Sequence, residues 1–232
     1  MRLLVFQHTP GETPGAFGRY AEKAGDTLEI VHLYRGMAIP DLTDFTHLLV
    51  MGGPMDVWEV SENPWLTPEI EAIGKWVGSG RPYLGVCLGH QLLAEATGGR
   101  CAKMAVPEIA VTEVMRYGDD PLLDVLPATF PALHWHGVEV ADLPEGAQPL
   151  GLSAGCGVQA MRVGSHAWGL QFHPELEPGT VSGWMNDPEN LECARDWLGS
   201  AEAAWAFVQD AETQVEGMME RSASLYRAFR SL

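Results

Sequence analysis

Three groups of residues have the types and spacing to do covalent chemistry together. The first is Gly85-Val86-Cys87-Leu88-Gly89-His90-Gln91, which follows an apolar run and opens a helical pattern through Leu92, Leu93, Ala94 and Ala96. G-x-C-x-G in that setting reads as a thiol nucleophile on a sharp strand-to-helix turn, with glycines where a side chain would collide. The helix N-terminus would stabilise negative charge on the sulfur, and the Leu88 amide could bind a developing oxyanion. The same residues would also suit an inert cysteine buried in a glycine-rich turn. The second group is Gly169-Leu170-Gln171-Phe172-His173-Pro174-Glu175. His173 could serve as base to the thiol, Glu175 could return to bond its other ring nitrogen, and Pro174 stiffens the link. A histidine after an apolar strand is, on its own, more often structural. The third group is Val50-Met51-Gly52-Gly53-Pro54-Met55. The Gly53 amide could supply a second oxyanion donor, although Gly-Gly-Pro is also ordinary turn punctuation.

The fold must bring these groups to one place. Arg2 to Gln7, Leu28 to His32, His47 to Met51 and Pro82 to Val86 are short β-rich runs, and Phe17 to Lys23 and Thr67 to Val77 between them have helical spacing. Apolar strands alternating with helices predict an α/β fold, with a mostly parallel central sheet and helices on both faces. Ligands in such sheets sit beyond the carboxyl ends of the strands, where all three groups fall. From Val111 to Phe172 the pattern turns to strands, and Gln159 to Val163 with Ala167 to Phe172 predict a hairpin through Gly164-Ser165-His166.

Beyond Gly179 the chain becomes helical. Asp187 can cap a helix with Pro188 in its first turn and Gly199 past its end. A second helix is expected from about Ala201 to Phe229, with Trp205, Val208, Ala211, Val215, Met218, Leu225 and Phe229 as one apolar stripe packed against the domain. Glu212, Glu216 and Glu220, with Asp210 nearby, read as its solvated face. No linker or repeat divides the chain, so residues 1–232 are expected to form one domain with 186–232 a helical C-terminal extension.

The 232 residues carry 14 Lys plus Arg against 31 Asp plus Glu, a formal net charge of −17. The basic residues are scattered, so nucleic acid and anionic membrane surfaces are unexpected as partners. Cys87, Cys101, Cys156 and Cys193 show no C-x-x-C pair, which fits a reducing compartment. The apolar run at Met1–Phe6 is too short for a secretory signal, and no stretch approaches the roughly 18 apolar residues of a membrane span, so a cytoplasmic location is expected. His134 and His136 would share a strand face as a metal pair would, but no third ligand lies near them in sequence, and neither a metal nor another cofactor is expected. His90 reads as structural or as a support behind the site, facing away from Cys87, and Cys101, Cys156 and Cys193 read as packing residues.

Taken together, the three groups resemble the class I, triad-type glutamine amidotransferases over roughly residues 1 to 185. His173-Pro174-Glu175 looks like the family's catalytic pair, and Cys87-Leu88-Gly89-His90-Gln91-Leu92-Leu93-Ala94, Met51-Gly52-Gly53-Pro54-Met55, Pro64-Trp65 and His134-Trp135-His136-Gly137 look most like stand-alone proteins similar to the amidotransferase domain of GMP synthase. The resemblance implies a flavodoxin-like fold and a Cys-His-Glu triad of Cys87, His173 and Glu175. It also implies Gly53 and Leu88 as oxyanion hole, with Gln91 and the backbone near Trp135 and His136 contacting substrate. The implied reaction releases ammonia and glutamate from glutamine through a γ-glutamyl thioester, either alone or beside a separate synthetase subunit. The chain has no G-x-x-x-x-G-K-[ST] phosphate loop for an ATP-driven amination of its own. Residues 186 to 232 match nothing in the resemblance. A γ-glutamyl peptidase using the same triad, or a non-catalytic regulatory module, are the competing functions; intact Cys87, His173 and Glu175 weigh against the last.

Overall fold

The computed structural model describes residues 1–232. Strands β1 (Arg2–Gln7), β2 (Thr27–His32), β3 (His47–Val50) and β4 (Tyr83–Val86) alternate with helices α1 (Gly15–Ala24), α2 (Leu66–Gly78) and α3 (Leu88–Ala96). There follow β5 (Arg100–Arg116), β6 (Thr129–Asp142), β7 (Gln148–Leu152), β8 (Ala160–Val163) and β9 (Ala167–Leu170), then α4 (Thr180–Trp184), α5 (Pro188–Leu198) and α6 (Ala201–Arg230). The strands form one nine-stranded sheet in the order β2-β1-β3-β4-β9-β8-β7-β5-β6. The five strands from β2 to β9 are parallel, and the rest pair antiparallel. The sheet is therefore parallel in the half that carries the site and antiparallel in the half that walls it.

Alternation along the parallel strands feeds two cores. Leu3 and Val5 of β1 and Leu84 and Val86 of β4 face α1 and the end of α6, while Leu4 and Phe6 with Leu48 and Val50 of β3 face α2 and α3. Burial on both faces is why these strands read as continuous apolar runs. The hairpin of β8 and β9 forms as its turn residues imply, with Val163 opposite Ala167. It stops at Leu170 rather than Phe172, because His173 leaves to bond β6, its N–H donating to the Leu133 carbonyl at 3.0 Å.

Helix α5 begins and ends as its caps predict: Asp187 accepts from the Glu189 N–H, and Gly199 adopts a left-handed conformation at the C-terminus. Helix α6 is integral to the core. Its first half packs on α4, α5 and β6 through Ala204, Val208, Ala211 and Val215, and its last turns pack on α1 through Leu225, Tyr226 and Phe229. Two expectations for this helix are corrected. Trp205 is 44% exposed, and Ala204 starts the buried stripe in its place, continuing at 208, 211, 215, 218, 222, 225 and 229 in steps of four and three. Glu212 does not simply face solvent, because its carboxylate accepts from the Gly179 and Ser182 N–H groups, both at 2.8 Å, and so caps α4.

Candidate active site

Cys87 stands between β4 and α3 with φ 50° and ψ −104°, the one non-glycine residue of the chain with positive φ. A conformation of this kind costs on the order of 1–3 kcal/mol and persists only where its surroundings enforce it. The enforcement comes from close packing on either side. A Cβ on Gly85 would overlap the Gly89 carbonyl, and one on Gly89 would overlap the Val50 carbonyl of the neighbouring strand. The turn thus pushes the Cys87 sulfur outward at the carboxyl edge of the sheet.

There it lines a pocket of about 410 Å³ together with Gly53, Gln91, Trp135, His136 and His173. The Glu175 carboxylate lies 2.8 Å from His173 Nδ1, and both side chains are buried. Burial alone would lower the His173 pKa, yet the charges of Glu175 and Cys87 raise it well above the ordinary value. The Glu175 carboxylate thus favours the protonated imidazole. Trp184 packs edge-on against the ring at 4.9 Å and limits its movement.

The other residues expected at the site take distinct places. Gln91 lines the pocket, but its Nε2 donates to the Val138 carbonyl and to Gln171 Oε1, both at 3.2 Å, so only Oε1 is left for a ligand. The Trp135 carbonyl lies 3.9 Å from the Cys87 sulfur. His136 turns its ring away toward Glu108 and the Val138 carbonyl, leaving its backbone along the pocket. Leu88, buried, opens α3 directly after the nucleophile position. His90 is fully buried against Gly169, and burial pushes its pKa down to about 3, so it is neutral and structural as expected.

Four contributors escape the local sequence pattern. Gln171 donates from Nε2 to the Cys87 sulfur at 3.6 Å and links it to Gln91. His8, just past β1, bonds both Gly52 and Glu69 and stacks on Trp65 at 5.3 Å, which fixes the Gly52-Gly53-Pro54 loop. Glu12 lines the pocket with an unpartnered Oε2, its carboxyl raised to about 7 by burial against the opposing pull of His173. Helix α5 supplies Glu189, Asn190, Cys193 and Trp197 to the far wall, Trp197 lying over Gly137. His8 and Glu12 each follow a strand's carboxyl end, a position that could have flagged them.

A strained cysteine on a strand-to-helix turn, a buried His-Glu pair and a glycine loop at one sheet edge agree with what the family comparison finds: the model of the class-I glutamine amidotransferases matches residues 16–185. The chain belongs to this family. It is 35% identical over 167 residues to the glutamine-hydrolysing GMP synthase of Thermomicrobium roseum, covering 68% of this chain but only 30% of that longer protein. It is 31% identical over 193 residues to the glutamine amidotransferase-like protein YfeJ of Salmonella typhimurium, covering 79% of each. A glutamine amidotransferase from Methylobacillus flagellatus has the same fold, with a TM-score of 0.87 at 25% identity over 99% of this chain and 94% of that one. No helix of this amidotransferase-family chain is long and apolar enough to cross a membrane.

Proposed function

We propose that this amidotransferase-family chain hydrolyses the side-chain amide of glutamine with Cys87, His173 and Glu175 as its triad. The observation that carries the reading is His173, bonded through Nδ1 to the buried Glu175 carboxylate and lining the same pocket as the strained elbow cysteine. The Cys87 sulfur attacks the amide carbon and forms a C–S bond, while the Gly53 and Leu88 N–H groups receive the oxyanion. His173 gives its proton to the leaving nitrogen, and ammonia departs from a γ-glutamyl thioester. Water then passes a proton to His173 and attacks the thioester; the C–S bond breaks and glutamate leaves. Gln91 Oε1 and the backbone at Trp135 and His136 hold the amino-acid end.

A cytoplasmic chain acting as one unit over residues 1–232 fits this reading, with 186–232 supplying one pocket wall. A separate synthetase protein would consume the ammonia. Support comes from a glutamine-hydrolysing GMP synthase subunit of Sulfolobus acidocaldarius, which is 32% identical over 65% of this chain and 78% of its own length.

A γ-glutamyl peptidase is the second reading, favoured by the reach of the pocket past Cys87 to Lys103, Glu189 and Trp197. Glutamate release from free glutamine and from γ-glutamyl peptides, compared between the natural protein and Cys87→Ala with and without cell extract, separates the two. Cys87-dependent release from glutamine supports the glutaminase, and stimulation by extract supports a synthetase partner. Faster release from a conjugate supports the peptidase, and no Cys87-dependent turnover overturns both.

A further inference from the structure

We propose that Glu108, His134 and His136 form a binding site for a zinc-class divalent cation behind the pocket wall, apart from Cys87. The two histidines share a face of β6, and the register of the long hairpin sets Glu108 of β5 opposite His136. This is the third ligand that the local sequence does not offer. Glu108 Oε2 lies 3.1 Å from His136 Nε2 and 3.9 Å from His134 Nδ1, and one ligand atom from each residue falls within 4.8 Å of the other two. Ligands of a tetrahedral zinc ion stand roughly 3.3 Å apart, so small side-chain shifts would close these three on one ion.

The hydrogen bonds around the trio suit a metal. His136 Nδ1 lies 3.0 Å from the Val138 carbonyl, where it must carry the proton, and this leaves Nε2 as the ligand. A backbone carbonyl is a usual outer partner of a metal-binding histidine. Ser153 donates to Glu108 Oε1 at 2.7 Å and orients the carboxylate.

Orphaned buried atoms on two residues point to a ligand. His134 has a fully buried side chain, and neither ring nitrogen has a hydrogen-bond partner. Gln159 also has a buried, unpartnered Oε1, while its Nε2 lies 2.7 Å from Glu108 Oε2 and 3.4 Å from His136 Nε2. An amide has nearly the same shape when turned over. Turned, Gln159 would place Oε1 against the carboxylate, which is repulsive without a cation and becomes a fourth oxygen ligand with one. Trp135 lies between the two histidines, so an ion here would pin the strand whose carbonyl faces the Cys87 sulfur.

The test uses Cys87→Ala protein, so that the active-site thiol cannot be the ligand, after removal of metal by a chelator. Zn²⁺ is titrated by calorimetry and Co²⁺ by visible absorption. Expected are one equivalent of Zn²⁺ and a four-coordinate Co²⁺ spectrum without a thiolate charge-transfer band. Affinity should fall about tenfold or more when His134→Phe is added, and likewise with Glu108→Gln, which keeps the side chain's shape should the first variant misfold. Circular dichroism checks the fold of each. No Zn²⁺ binding by the folded Cys87→Ala protein overturns the proposal, as does equal affinity in the folded variants or a Co²⁺ spectrum showing thiolate ligation.

Discussion

His8 Nδ1 lies 2.7 Å from the carbonyl oxygen of Gly52, 44 residues further along the chain. The other ring nitrogen lies 2.9 Å from Glu69 Oε1, so both of its neighbours are acceptors and the ring donates to each as an imidazolium. Burial works against that charge, but Glu69 raises the His8 pKa above its ordinary value. A trans peptide points its C=O and N–H in opposite directions. Holding the Gly52 carbonyl therefore fixes which way the Gly53 N–H points, away from His8.

The first prediction follows from that geometry. His8→Ala frees the Gly52-Gly53 peptide to rotate and should lower kcat by about a hundredfold, the scale of one lost oxyanion donor, with a smaller change in KM. Steady-state kinetics on glutamine, with circular dichroism to verify the fold, measures it. A rise confined to KM would assign His8 to substrate binding.

Glu175 orients His173 and raises its pKa, so Glu175→Gln should do more than slow the reaction. The loss in kcat should be roughly 10³- to 10⁴-fold, as when an imidazole loses its orienting carboxylate. Because the raised His173 pKa holds the imidazolium up to higher pH, removing Glu175 should move the alkaline limb of kcat/KM to lower pH. A rate profile over pH 5 to 10 for both proteins reads that shift, and an unmoved limb would place the titration on another group.

Glu12 changes charge near neutrality, its carboxyl raised to about 7 by burial. The pocket therefore gains one negative charge as the pH rises through 7, and the ammonium end of glutamine should bind more tightly on the alkaline side. KM for glutamine should fall across that range in the natural protein and stay flat in Glu12→Gln. Equal slopes in the two proteins would remove Glu12 from substrate recognition.

Asp26 fastens the chain's last helix to its first strands. Burial would raise its carboxyl, but hydrogen bonds from Arg230, the Met1 amino group and Tyr226 pull it down to about 2. A depressed carboxylate stabilises the fold above its unfolded-state pKa and loses that contribution as the pH falls through its folded value. Asp26→Asn should thus cost about 2 kcal/mol at pH 7, with the gap to the natural protein closing between about pH 4 and 2. Urea denaturation at several pH values checks it.

The sequence shows most clearly what is local. Cys87 with its two glycines, His173 with Glu175, and the caps at Asp187 and Gly199 each depend on residues within a few positions, and each stands in the structure where the spacing implied. What long-range pairing creates was not legible. Gln171 reaches Cys87 across 84 positions, His8 reaches Gly52 across 44, and Glu108 meets His136 across 28. Helix α5 had a readable start and end, yet nothing in its pattern said that Trp197 would close the pocket over Gly137. The misplaced Trp205 shows the complementary limit: hydrophobicity ranks a tryptophan above an alanine, but the geometry of α6 buries Ala204 and leaves Trp205 on the flank.

The twisted backbone at Cys87 also sets a stability cost at that position. Glycine tolerates that conformation freely, so the substitution that removes the thiol is also one that relaxes the fold. A population screened only for heat resistance would drift toward an inert protein at this codon. A cysteine at this position therefore holds the fold below the stability that a glycine there would give it.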